Sequence, residues 1–155
     1  MIWYSWSVTQ QHQRILEYYS KLRPREHTKF KISNLNKDQK YDLAKEPRVW
    51  GYLNALSREF ANDLSINFDD NSTLLGGAIL IHMSIFDYDE DTTKKIYNEM
   101  HKDLELSICK DLFAGAARDA QKDMLDFRNN IKLMEETNFP RFDIFIYGYV
   151  EKYNL

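Results

Sequence analysis

Apolar and polar residues alternate over the opening stretch IWYSWSV (2–8), with Ile2, Tyr4, Trp6 and Val8 on one side and Trp3, Ser5 and Ser7 on the other. A period of two is the pattern of a half-buried strand. Thr9 then stands as a helix cap, and Ile15, Leu16, Tyr18, Tyr19 and Leu22 recur at helical spacing as far as Pro24. Proline disfavours helical geometry in the residue before it, so a helix should stop there. Next comes LRPREHTKFKI (22–32), where Arg23, Arg25, His27, Lys29 and Lys31 fall at every second position. That comb predicts a second strand with its cations on one side, and Pro24 suits an edge.

A short polar helix is expected over 35–45, and a longer one beginning near Pro47, which the first helical turn tolerates. The second carries Trp50, Leu53, Leu56, Phe60 and Leu64 at spacings of three and four. Gly76-Gly77 reads as a turn. AILIHMSIFDY (78–88) is apolar on both faces and reads as a central strand. Two apolar stripes follow, one through Ile96, Met100, Leu104 and Ile108, the other from Phe113 to Met134. One helix from 92 to 136 would be ~65 Å long, so a break is expected near 110–115. Pro140 should end the helical region, leaving RFDIFIYGYVEKY (141–153) as the last strand. The order β-α-β-α-α-β-α-α-β predicts a single α+β domain over 1–155, a four-stranded, mostly antiparallel sheet with helices mainly on one face.

Composition narrows the function classes. The net charge of −3 argues against bulk binding of duplex nucleic acid, although a local basic patch on the comb leaves an RNA-binding regulator open. The single cysteine, Cys109, allows no internal disulfide and no cysteine-based metal site, which points to a reducing, cytoplasmic setting. The N-terminus has neither a basic region nor a long apolar core, and no stretch approaches a membrane span. No metal or cofactor is expected.

The search for chemistry returns partial motifs. Asp87-Tyr88-Asp89 after an apolar run resembles the nucleophile strand of haloacid-dehalogenase-type phosphatases, but the later aspartates and the lysine that chemistry needs are missing. As a calcium loop the same segment has Thr92 where glycine belongs and Asn98 where glutamate belongs. A simpler role for Asp89, Glu90 and Asp91 is to cap the next helix, with Asp91 the leading candidate. His82-Met83-Ser84 is one H-x-S element where two-histidine phosphoesterases carry two. A phosphoester or nucleotide-handling enzyme around His82 and Asp87 or Asp89 is therefore the alternative, with no catalytic residue assigned. Cys109 and the Met and aromatic stripe read as core.

What remains is clustered charge of both signs and ten tyrosines, among them Tyr147, Tyr149 and Tyr153 on the last segment. Tyrosine supplies contact area at interfaces. The pattern predicts a small protein-binding factor that acts by contact, of inhibitor, immunity or phage host-targeting (anti-defence) type. Its partner would be another protein, such as a toxin or a host defence protein. Arg23, Arg25, His27, Lys29 and Lys31 would meet an anionic surface, and Asp87, Asp89 and Glu90 a basic one.

Overall fold

The structure is a computed structural model that describes residues 10–22, 31–67, 71–129 and 139–153. Every regular element among the described residues is an α-helix: α1 (Gln10–Leu22), α2 (Lys37–Ala44), α3 (Pro47–Asp63), α4 (Asn71–Phe86), α5 (Glu90–Asp103), α6 (Ser107–Asn129) and α7 (Pro140–Glu151). The expected α+β sheet is therefore corrected to an all-helical fold. Residues 78–88 form most of α4 and its turn, 141–151 belong to α7, and Lys31 to Ser33 are helical. The expected strand over 2–8 and most of the comb lie outside the described residues.

The first helices follow from their patterns. In α2, Asn36 caps the start by accepting the Gln39 N–H at 2.9 Å, and the Gln39 side chain returns the bond to the Asn36 N–H at 3.0 Å. This reciprocal pair satisfies two donors that a helix start leaves open. Pro47 opens α3, whose Val49, Trp50, Leu53, Leu56 and Phe60 are all fully buried. The helix stops where Ser65 adopts φ 57°, letting Ile66 N–H reach Ala61 O at 2.9 Å and Ser65 N–H reach Asn62 O at 3.1 Å. These two bonds close a Schellman turn, with buried Ile66 as its apolar plug.

α3 is the hub, packing on α6, α4 and α1, while α4 also contacts α1 and α5, and α7 lies against α6. α3 and α6 approach closely at Gly51, where an added Cβ would run into the backbone of Phe113 on α6. Gly76 and Gly77, expected as a turn, sit inside α4 and let it close on its neighbours: a Cβ there would strike the His12 ring of α1 and Ser57 of α3. All of 75–82 is buried. A helical stretch covered on every side, as 75–82 is, needs no polar face, which is why it shows no helical stripe.

The break between α5 and α6 falls at Leu104 to Leu106, earlier than 110–115, through three successive i to i−3 backbone bonds of 3.0–3.2 Å. Pro140 begins a helix instead of ending one. α7 buries Phe142, Ile146, Tyr149 and Val150, a helical spacing of four, three and one. Tyr149 is thus core, Tyr147 half-buried and Tyr153 exposed. No helix among the described residues is long and apolar enough to cross a membrane.

Candidate functional site

The carboxylates singled out in the sequence meet at the corner between α4 and α5. After Phe86 the chain turns through Asp87 at φ 56°, its N–H bonded to Met83 O at 2.9 Å. Aspartate is among the few residues other than glycine that visit this left-handed region readily. Asp89 then takes an extended backbone and caps α5, its Oδ1 accepting the Thr92 N–H at 2.7 Å. The cap is thus Asp89 and not Asp91. The Thr92 hydrogen bonds hold the Asp89 carboxyl below its ordinary pKa, so it is an anion at neutral pH. Glu90 pairs with Lys94 one turn on at 3.4 Å. Asp87 and Asp89 are exposed.

Beside them lies an open groove of about 480 Å³, lined by Leu16, Leu80, Met83, Ser84, Asp87, Tyr88 and Asp89. Its floor is apolar and its rim anionic. Tyr88 stacks near-parallel on Phe86, with centroids 6.3 Å apart, and carries the Lys40 ammonium 4.4 Å from its ring centre. The corner therefore already holds one cation over an aromatic face, an attraction the ring quadrupole supplies.

Of the cationic comb, Arg23, Arg25, His27 and Lys29 lie outside the described residues. Lys31 is described, on a helical turn instead of a strand, with its ammonium 5.6 Å from the centre of the Tyr147 ring.

His82 points into the core, not the corner. It is fully buried, and its ring lies between Trp50 at 4.2 Å and Phe86 at 4.5 Å between centroids. Its Nε2 lies 2.9 Å from Ala44 O, the last carbonyl of α2, and the Trp50 indole N–H donates to the same oxygen at 2.9 Å. Because a carbonyl only accepts, Nε2 carries the proton. Burial pushes the imidazole pKa down from 6.5 to about 3, outweighing the Ala44 bond that raises it. The ring is neutral, and its task is to close the end of α2.

That burial makes a pH prediction. Above about pH 6.5 both folded and unfolded chains carry the ring neutral, whereas between 6.5 and about 3 only the unfolded chain binds the proton. This group therefore removes stability as pH falls through that window, by about 1.4 kcal/mol per unit. Urea unfolding at pH 7, 5.5 and 4.5 should show a steeper decline for the wild type than for His82→Gln. Parallel declines would mean that the ring is protonated in the folded chain.

Sequence patterns missed a buried ionic cluster. Asp123 on α6 is fully buried; it accepts from Tyr52 OH at 2.6 Å, from the Arg141 backbone N–H at 3.2 Å and from its guanidinium at 2.7 Å. The same guanidinium reaches Asp126 at 2.8 Å, and its hydrogen bonds to Asp126 and Asp123 raise its pKa further. The signal was an aspartate on the apolar stripe of Ala116, Ala120 and Met124. A cleft of about 430 Å³ opens above the cluster between α3, α6 and α7, with Leu112, Gly115 and Phe145 on its walls. A second cluster joins Arg128 to Glu59 and Asp63 at 2.7 and 2.9 Å, with Tyr18 OH donating to Asp63 at 3.0 Å. Both tie helices together. Among the described residues no group of His, Cys, Asp and Glu is placed to hold a metal ion.

Compared with protein-family models, curated proteins and solved structures, the chain matches none significantly.

Proposed function

We propose that this chain is a small cytosolic binding protein that acts by contact, of inhibitor, immunity or host-targeting type. Its docking site is the α4–α5 corner, and its partner a protein that presents a basic segment with an apolar side chain. The observation that supports this is the groove itself: an apolar floor of Leu16, Leu80 and Met83 under a rim of two exposed aspartates, Asp87 and Asp89. An apolar anchor in a pocket supplies affinity, and opposite charge at the rim supplies rate and selectivity. Tyr88, already holding Lys40, adds a ring of the kind that receives ammonium or guanidinium groups.

The test is affinity capture from cells of the native host, using wild type, Ser84→Arg with Asp87→Asn, and Arg25→Glu with Lys29→Glu. Neither change in the groove variant touches the Asp89 cap. A stoichiometric protein should be captured by wild type and lost with the groove variant, and purified partner should bind wild type at least tenfold tighter. If that partner stays with the groove variant and leaves the comb variant, the docking site is the basic segment and the corner proposal is wrong. Co-purifying RNA in place of protein would also reject it.

A further inference from the structure

The cleft between α3, α6 and α7 gathers basic side chains from all three helices: Arg48 on α3, Arg118 and Lys122 on α6, and Arg141 on α7. Like charges drawn to one place repel unless something negative lies between them. Among the described residues Arg118 and Lys122 have no ion pair and no side-chain hydrogen bond. Arg141 gives both of its guanidinium–carboxylate bonds from Nη1, which leaves Nη2 and Nε without a protein acceptor. Arg118 folds back along α6: its Nη2 lies 3.8 Å from where a Cβ of Gly115 would stand, and Gly115 itself lines the cleft.

The cleft is graded along its length. From Asp111 to Lys122 it follows α6 for about 16 Å, at 1.5 Å per residue. Arg118, Lys122 and Arg141 share one end, because Asp123 and Asp126, which hold Arg141, follow Lys122 directly on α6. One turn further along α7 is Phe145, with the Arg48 guanidinium 4.3 Å from its ring centre, and Leu112 stands towards the other end. Glu46 fixes that guanidinium with an ion pair of 2.9 Å. An arginine held on an aromatic ring offers its outer face to a further planar group. Asp111 and Asp119 line the cleft too, but neither is paired with its cations. With Glu46, Asp123 and Asp126 they bring the neighbourhood close to neutral, so the cleft offers aimed donors more than net charge. Guanidinium forks of this kind suit phosphate oxygens, which accept two parallel bonds.

We infer that this cleft is a binding site for a small phosphomonoester that carries a planar ring, such as a nucleoside monophosphate. The phosphate lies among Arg118, Lys122 and Arg141, and the ring lies towards Leu112 against the stacked Arg48 and Phe145. At about 430 Å³ the cleft falls within the ordinary range of small-molecule sites, about 300–1,000 Å³. It shares no residue with the α4–α5 groove, so the two sites stand or fall separately.

Isothermal titration calorimetry of the full chain tests this with adenosine monophosphate, adenosine and inorganic phosphate as probes. Adenosine monophosphate should bind one to one with a Kd below about 1 mM, and adenosine and phosphate should each bind at least about tenfold more weakly. Arg118→Gln with Lys122→Gln should weaken adenosine monophosphate by about tenfold or more at unchanged helical circular dichroism, since both side chains are exposed and hold nothing in the fold. Asp119→Asn removes the carboxylate that lies between those two cations in sequence and should tighten binding about threefold, a gain that a misfolded protein cannot imitate. Absence of saturable binding of adenosine monophosphate in the millimolar range would overturn the inference, as would binding that the double variant leaves unchanged. Adenosine binding as tightly as its monophosphate would reject the phosphate seat, and phosphate binding as tightly would reject the ring.

Discussion

Replacing Asp123 with alanine should lower stability by about 3 kcal/mol, the larger part of what removing one partner of a buried ionic cluster costs. The side chain is fully buried and takes three hydrogen bonds from two other helices, so its loss strands the Tyr52 hydroxyl in the core and frees the start of α7. Arg141 keeps Asp126 and is partly exposed, which holds the effect below that of an isolated buried charge. For a chain of this length the midpoint of thermal unfolding should fall by roughly 6–12 °C. Tyr52→Phe removes one bond only and should cost about 1–2 kcal/mol. In the double variant the two losses should fall well short of adding, since the bond they share can be lost only once. An Asp123→Ala protein within about 1 kcal/mol of wild type would show that the cluster orders α7 without stabilising it.

Gly51→Ala should be as damaging through sterics alone. The new methyl would lie inside the contact distance of the Phe113 carbonyl group, and backbone on α6 cannot rotate aside as a side chain can. The α3–α6 pair must separate along its length, and a loss of about 3 kcal/mol or more is expected. Gly148→Ala is the matched control. Nothing lies within 4 Å of a Cβ at that position on α7, so the same substitution removes only the entropic burden of a helical glycine and should stabilise by about 0.5–1 kcal/mol. Urea unfolding of the three proteins side by side should rank Gly148→Ala above wild type and Gly51→Ala far below. Equal stability of wild type and Gly51→Ala would show that the two helices do not cross in contact there.

The same residues explain what the sequence disclosed. α1 and α3 were legible because each has a polar side against water, so apolar positions recur at helical spacing, whereas α2 was read only as a short polar run before Pro47. α4 was not, since burial on every side leaves a continuous apolar run such as AILIHMSIF, which periodicity cannot tell from a central strand. In α7 the helical set of Phe142, Ile146, Tyr149 and Val150 was present, but exposed Ile144 and half-buried Phe145 and Tyr147 filled the gaps and imitated a strand. Pro140 carried two meanings, terminator or first-turn residue, and only the packing of α7 chooses between them. The α5–α6 break contains no glycine or proline, so its place was misjudged by several residues. Among candidate site residues, Asp87, Asp89 and Glu90 were found together because they are neighbours in the chain. Tyr52, Asp123 and Arg141 come from three helices, and only the fold makes them one cluster.

The crossing at Gly51 and Phe113 also shapes how the protein must be made. α3 carries a large apolar face, with Trp50, Leu53, Leu56 and Phe60 all destined for the core, yet α6 follows it by way of two other helices. On the ribosome, α1 and α4 are available to α3 first, but the part of its apolar side that packs on α6 stays uncovered until α6 has been synthesised. A few seconds of synthesis separate the two at ordinary rates of about 5–20 residues per second. Demand for chaperones should therefore concentrate in that interval, and ribosome-bound chains stalled just before α6 should be the forms that aggregate.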